Sequence, residues 1–434
     1  MKKKFLLVAL LVVFSLVLGA CSPAAEPPEE PAVEEPVQEE TGIDCMGAEG
    51  GEISMLYQWS GAEEENLNKI LRPFAQACNV TINAESTRDQ ALLDTRVQAG
   101  TPPDITFWNV TQLTQYKDQL VPMTDLGVHE ENYADYWKTI GSVDGAWLGL
   151  PVKADPKTLI WYSPANFEDA GYSIPTTWEE LDALVEQMVA DGKVPWSLGM
   201  ESGDATGWTG TDFIQDILLV TQGPEFVSGI IDGSVPYNDP AVKEAYEIYG
   251  KWAMDPVYTV GGAEGTVSVG FNDAILKVFS SPPEAMMVKQ SGFAGGTITE
   301  TYSDLEYGTG FDFFGVPGAQ GLQGGSDWMM SFSDSPAVKA LVAYLSSELG
   351  GQTWAEVGFD LTPNLAGSTS YVDAALAKKG ELLANATGFV PDIGDSIPGG
   401  FGSAEFTGIT DFVNGGDLDT VLNDLAGVQA EALE

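Results

Sequence analysis

The sequence predicts a two-lobed α/β fold, each lobe a mainly parallel sheet flanked by helices, with hinge crossovers between them. Three observations lead there. The chain has 434 residues, 44% of them hydrophobic, which is too much apolar material for one core, because single cores stop growing near ~250–300 residues. Strand and helix patterns alternate early in the chain. After a helical middle, strand patterning with Gly and Pro punctuation returns between residues 302 and 330, so the chain crosses between lobes more than once.

The early elements follow from periodicity. EISMLYQ, 52–58, reads as a strand, and 63–77 places Leu67, Ile70, Leu71 and Phe74 on one helix face. Residues 80–84 give a second strand, 89–99 a helix stopped by Gly100, and 105–108 a short apolar strand. This order implies parallel βαβ units with right-handed crossovers. In the middle, Thr177-Trp-Glu-Glu180 is a capping box before Leu181, Leu184, Val185, Met188 and Val189. Asp239-Pro240 and Ser335-Pro336 start further helices, and 371–385, 403–413 and 417–427 also read as helical. No repeat of 20–50 residues is visible.

The first forty residues give an address. Lys2, Lys3 and Lys4 precede an apolar run of 16 residues, 5–20. That is short for a membrane span, which needs ~20, and right for a signal peptide. Its end, Leu18-Gly19-Ala20-Cys21, resembles a bacterial lipobox, which implies lipidation of Cys21. Residues 23–40 hold five Pro and seven Glu, an extended, self-repelling tether. The expected organisation is therefore a signal peptide at 1–20 and a lipidated Cys with its tether at 21–44. Lobe one is expected at 45–153 plus 310–332, and lobe two at 154–309 plus 333–434. The product would be exported and held on the outer face of the cell membrane, or in the periplasm.

Charge excludes several functions. There are 19 Lys+Arg against 64 Asp+Glu, a net charge of −45. Without Lys2–Lys4 and the tether glutamates, 16 basic and 57 acidic residues remain, about −41. Nucleic acid needs clustered cations, and only Arg72, Arg88 and Arg96 are arginines. One His, His129, and three Cys leave little for zinc sites or triads. No metal and no cofactor are expected. Cys45 and Cys78 precede the first and second strands; if those strands are parallel neighbours, both cysteines sit at one end of the sheet. A disulfide and two buried thiols are both open readings.

Searching for chemistry returns mostly negatives. Phosphate and dinucleotide loops, the Gly-x-Ser-x-Gly elbow and the EF-hand loop are absent. What stands out is aromatic residues beside glycines and carboxylates at element ends: Trp59 and Gly61, Trp108, Asp204 and Trp208, Phe293, and Asp327. Open α/β sheets bind ligands at the carboxyl ends of strands, where such loops lie. Aromatic faces with Asp, Asn, Gln and Lys suit neutral polyols, and scarce Arg argues against phosphate or polycarboxylate ligands. A single Trp is more often core than platform; Trp178 and Trp252, on helix faces, read as core.

Gly100-Thr-Pro-Pro-Asp104-Ile resembles the G-x-P-P-D-[IV] signature of the sugar-binding proteins of ABC importers. Leu148-Gly-Leu-Pro-Val-Lys153-Ala-Asp155, followed by Leu159-Ile-Trp-Tyr162, resembles that family's hinge and crossover strand. Thr176-Thr-Trp-Glu-Glu-Leu181 is similar to its helix start. Pro195-Trp196, Gly210-Thr-Asp212 and Asn238-Asp-Pro240 look like its α-glucoside-binding branch, and Asp334-Ser-Pro-Ala-Val338 and Leu361-Thr-Pro-Asn364 match its late segments. The resemblance spans essentially the whole mature chain. It implies the maltose-binding-protein-like two-lobed fold, no enzymatic activity, and closure over a neutral sugar delivered to ABC permease subunits, by a monomer with no nucleic-acid partner. By position, Trp59 and Gly61 after the first strand and Trp108 at the end of the third should line lobe one, Lys153 and Asp155 lie at the first crossing, and Trp208 and Asp204 should approach from lobe two. Phe293, Asp327 and Phe406 are added from where similar proteins carry contacts. On this reading Trp108→Ala abolishes binding and spares stability. A sugar sensor or adhesin lipoprotein and an exported glycoside hydrolase are the rival classes.

Overall fold

The computed structural model describes residues 42–434. The signal peptide, Cys21 and the tether up to residue 41 lie outside the described residues. Among the described residues no helix is long and apolar enough to cross a membrane.

Eleven strands are present in the described part: β1 (Glu52–Tyr57), β2 (Thr81–Ser86), β3 (Ile105–Trp108), β4 (Ser142–Val143), β5 (Ala146–Trp147), β6 (Gly149–Pro156), β7 (Leu159–Tyr162), β8 (Met287–Lys289), β9 (Asp312–Gly315), β10 (Leu322–Ser331) and β11 (Phe389–Val390). They form a six-stranded sheet in the order β11-β10-β3-β1-β2 with β6 on β10, a small β4-β5 hairpin, and a three-stranded sheet β8-β7-β9. β1 runs parallel to β2 and to β3, with Met55 opposite Ala84 and Ile105. These are the βαβ units read from periodicity, with helices Ala62–Ala77 and Gln90–Gln98 as crossovers. The long β10 runs antiparallel to both β3 and β6.

The smaller sheet departs from a mainly parallel design. β7 is antiparallel to β8 and to β9, and its parallel pairing is confined to isolated bridges such as Trp196 with Thr259 and Met287. β7 and β9 are chain crossings that enter and leave the sheet, not members of a βαβ repeat, so nothing forces them parallel. Around this sheet pack the helices Trp178–Ala190, Trp208–Thr221, Pro240–Met254 and Phe401–Val413.

The expected domain limits also shift. β9, within 310–332, pairs with β7 in the small sheet. The helices Pro336–Ser346 and Glu348–Val357 pack through Val338, Leu341 and Trp354 onto the core of the large sheet. The first crossing falls after Pro156, because β6 holds its ladder to β10 that far. Strand alternation cannot say which sheet a segment joins, since that is settled by long-range pairing.

Helix starts follow their caps. The Thr177 hydroxyl accepts from Glu180 N at 3.2 Å. The return bond of the box is displaced by one residue: the Glu180 carboxylate accepts from Thr176 N and Oγ1. Asp239 and Ser335 cap their helices at Ala241 N and Val338 N. Cys45 and Cys78 are joined in a disulfide, and Cys78 is fully buried in the large-sheet core.

Candidate functional site

A cavity of about 400 Å³ opens where the chain crosses between the sheets, within the ~300–1,000 Å³ range of small-molecule sites. Asn109 and Thr111 follow β3, Lys153 and Asp155 end β6, Gly324 to Asp327 lie on β10, and Asp392, Asp395 and Ser396 follow β11. A larger groove, about 760 Å³, is lined by Met46, His129, Tyr344 and their neighbours. It includes none of the residues that flank the crossings or follow β11.

On the large-sheet wall, Lys153 is the centre. Its Nζ lies 3.0 Å from Glu63, 3.0 Å from Asp360 and 3.6 Å from Asp327, and 5.1 Å from the Phe359 ring centroid. Burial alone would lower the Lys153 pKa, but Asp360, Asp327 and Glu63 together drive it above its ordinary value. Asp327 is locked from three sides, accepting from Gln58 Nε2 at 2.7 Å and Trp59 Nε1 at 3.2 Å as well.

On the opposite wall, Lys157 bridges two carboxylates. Its Nζ donates to Asp212 Oδ1 at 3.1 Å and Asp392 Oδ2 at 3.0 Å. Behind it, fully buried Lys289 lies 3.1 Å from Asp216 and 3.8 Å from Asp212. Burial pushes Asp212 up to about 7. Burial acts on Asp392 too, but Lys157 outweighs it and holds that carboxyl below its ordinary value. Gln215, on the helix Trp208–Thr221, straps down the cavity loop: it donates to Pro391 O at 2.8 Å and accepts from Ile393 N at 3.0 Å. Gln323 ties this wall to β10, donating to Asp212 O at 2.8 Å while its N–H donates to Thr158 Oγ1.

Aromatic rings flank the cavity and do not line it. Trp208, Phe271 and Phe293 form an open edge-on cluster, with the Trp208–Phe271 centroids 5.3 Å apart and Trp208–Phe293 6.3 Å. Phe293 is 40% exposed. Lys157 links this cluster to the cavity, its Nζ lying 5.6 Å from the Trp208 ring centroid. Asp155 approaches the same cluster from below: a Cβ on Gly292 would fall 2.5 Å from Asp155 Oδ1 and 2.8 Å from Lys379 Nζ. A side chain at Gly292 would have to push both groups aside. Burial pushes Asp155 up to about 6, with Lys379 opposing.

Of the residues singled out in the sequence, Lys153, Asp155 and Asp327 line the cavity, and Trp208 and Phe293 stand beside it. Trp59 and Trp108 do not. Trp59 is 2% exposed, packed on Phe107 and Phe359, and reaches the site only through its bond to Asp327. Trp108 is 3% exposed, in a core with Trp137, Trp328 and Leu56. Trp108 ends β3 in a sheet covered on each face, so its side chain is buried whichever way it points; Trp59, two residues past β1, is buried by its packing on Phe107 and Phe359. Gly61 is the exposed N-cap of Ala62–Ala77 at φ 61°. Asp204 is exposed on the turn Gly203–Ala205. Phe406 is half-buried, and its backbone abuts Gly207, whose φ of 123° sets the entry to the Trp208 helix. Trp252 is core as expected, and Trp178 is half-buried against it.

Sequence reasoning missed Asn109, Thr111, Lys157, Asp392, Asp395 and Ser396. Lys157 stands two residues past Asp155 in the hinge segment, and as one of few cations it was findable. The Pro391–Ser396 loop carries no periodic signal. Among the described residues no cluster of three or more His, Cys, Asp or Glu is arranged to hold a metal.

Residues 69–384 match the family described as bacterial extracellular solute-binding protein. The chain belongs to that family. This solute-binding protein is 33% identical over 404 residues to an alpha-glucosides-binding periplasmic protein of Rhizobium meliloti, covering 88% of this chain and 86% of the relative. It is 31% identical over 386 residues to an osmoprotective compounds-binding protein of Synechocystis, covering 86% and 91%. Its fold is shared with the solved bacterial solute receptor AcbH, described as exclusive for β-D-galactopyranose, at TM-score 0.75 and 18% identity, covering 88% of this chain and 100% of that one. It is shared also with apo RafE of Streptococcus pneumoniae, at TM-score 0.71 and 18% identity, covering 88% and 98%.

Proposed function

We propose that this solute-binding protein is the membrane-anchored receptor of an ABC carbohydrate importer, and that it captures a neutral sugar, an α-glucoside or related oligosaccharide, in the cavity at the crossings. The supporting observation is the cavity's make-up. Its walls come from the strand ends of the large sheet and from the Pro391–Ser396 loop, whose Ile393 packs in the core of the small-sheet side; they are rich in hydrogen-bond acceptors and flanked by the open Trp208–Phe271–Phe293 cluster. Hydroxyls donate to the carboxylates, Asn109 and Ser396 bond in either sense, and the rings cover an apolar sugar face. The relative named for alpha-glucosides supports the sugar class.

On this reading the lobes divide at the crossings. Residues 42–156 with 322–389 form one, and 157–321 with 390–434 the other. A sugar touching Asp155 and Asp327 on one side and Asp392 on the other stabilises the closed arrangement, so closure is a population shift. Micromolar affinity, about −8 kcal/mol, suffices. The chain then delivers its cargo to the permease and acts as no enzyme. Lipid on Cys21 keeps it at the membrane, and it works as a monomer.

The test is a thermal-shift screen of the protein against maltose, trehalose, sucrose, maltotriose, glucose, xylose and cellobiose. Ligand at a hundred times Kd adds ~2.7 kcal/mol, a shift of a few degrees. A shift with α-glucosides alone supports the branch. A shift with another sugar keeps the importer and discards the branch. The relative named for osmoprotective compounds favours a second reading, a small polyol glycoside, so glucosylglycerol joins the panel. No shift with any member defeats the sugar reading.

A further inference from the structure

The charge on the cavity wall says something about the solute beyond its shape. Of the ionisable residues lining the cavity, Lys153, Asp327 and Asp392 are held in ion pairs. The carboxylates of Asp155 and Asp395 have no ion-pair or hydrogen-bond partner among the described residues. Lys379, the cation that most opposes the rise of the Asp155 carboxyl, converges with it on Gly292 but forms no ion pair with it. Lys153 and Lys157 are already shared among Glu63, Asp327, Asp360, Asp212 and Asp392. Three lysines thus face seven carboxylates, and the next shell adds Lys289 and Asp216, one of each sign.

We propose, resting on the sugar reading above, that Asp395 and Asp155 make the cavity a charge filter: a sugar bearing an ammonium in place of a hydroxyl binds more tightly than its neutral parent, and one bearing a carboxylate is rejected. An ionised carboxylate only accepts hydrogen bonds. A sugar hydroxyl satisfies it with a neutral donor. An ammonium does so with a charge-assisted bond, shorter and roughly twice as strong. An incoming carboxylate brings no donor, loses its water and meets like charge. Burial raises the half-buried Asp155 carboxyl above its ordinary value; Asp395 is an exposed residue at the cavity rim, and partial desolvation with the neighbouring Asp392 raises its carboxyl too. A wall short of counter-charge behaves that way.

The experiment is titration calorimetry of the protein at low salt, pH 7.5, with matched sets built on trehalose, maltose and glucose. Each set holds the parent, its 2-amino and 6-amino derivatives, and its 6-uronate. In the set whose parent binds, one amino derivative is expected to bind about tenfold tighter, and the uronate at least about tenfold weaker. Both ratios should shrink at 0.5 M NaCl, where the screening length falls to a few Å. They should shrink also in Asp395→Asn, and hold in the exposed control Glu300→Gln. A uronate that binds like the parent overturns the filter and leaves the sugar reading standing. So does an amine no tighter than the parent, or a ratio unmoved in Asp395→Asn with melting unchanged. If no parent, amine or uronate binds, both fall.

Discussion

Two pairs of aromatic residues were singled out in the sequence, and the fold treats them oppositely. Trp59 stands two residues past β1 and Trp108 at the end of β3, in a sheet with packed faces, and they are 2% and 3% exposed. Trp208 opens a helix behind Gly207, and Phe293 sits at the start of another, 40% exposed. Both pairs lie where an open α/β sheet keeps its ligand loops. The difference is the element that carries them. A strand buried on both faces has no solvent side to offer, whereas a first helical turn has only one face committed to packing. Aromatic residues near strand ends here pack behind the candidate site, as Trp59 supports Asp327, and those at the two helix starts stay partly open beside it.

Mutations can break this comparison. The largest effect is expected at Trp108→Ala, which empties a core site and should cost about 3–5 kcal/mol in urea unfolding. Near-wild-type stability with lost binding would return Trp108 to the cavity. A loss of similar size, about 3–5 kcal/mol, is expected for Lys157→Met, because Asp392 would be left buried without its cation and Asp212 with only the more distant Lys289; a midpoint within error of the parent would show that water reaches them freely. Trp208→Ala should leave stability within about 1 kcal/mol and weaken sugar binding about tenfold, or 1.4 kcal/mol. Unfolding without a separate affinity loss would class it with Trp108.

The smallest effects are electrostatic. Asp155 has a folded-state pKa of about 6, above its ordinary value because of burial. At pH 7.5 it is ionised at a cost, so Asp155→Asn should stabilise the protein by about 1 kcal/mol while weakening sugar binding. A variant both less stable and fully competent to bind would contradict its place as an unpaired acceptor. Asp155 at about 6 and Asp212 at about 7 hold protons more tightly folded than unfolded. Stability should therefore rise as pH falls from about 8 to about 5. Calorimetric melting temperatures flat or falling across that window would show that other groups dominate.

Much of the fold was legible because local rules were obeyed. The periodic helix with Leu67, Ile70, Leu71 and Phe74 buries those four residues, and the early strands pair in parallel as their spacing required. The cap residues Thr177, Asp239 and Ser335 sit at helix starts. The site was legible where a residue stood on a strand next to a crossing, as with Lys153 and Asp155. It was illegible in Asp392 and Asp395, whose loop is held at the cavity by Gln215, 176 residues away in sequence, and by Lys157.

Composition alone bounded this protein. Its length required more than one core, its acidity and three arginines argued against polyanionic partners, and its ordered motifs pointed to one family. Tertiary structure decided which sheet received β9 and the helices after β10, which tryptophans were core, and which carboxylates were left without a cation. Those are outcomes of long-range pairing and burial. A residue's neighbours in sequence fix its conformation, but its solvent exposure and counter-charges come from segments that arrive from elsewhere in the chain.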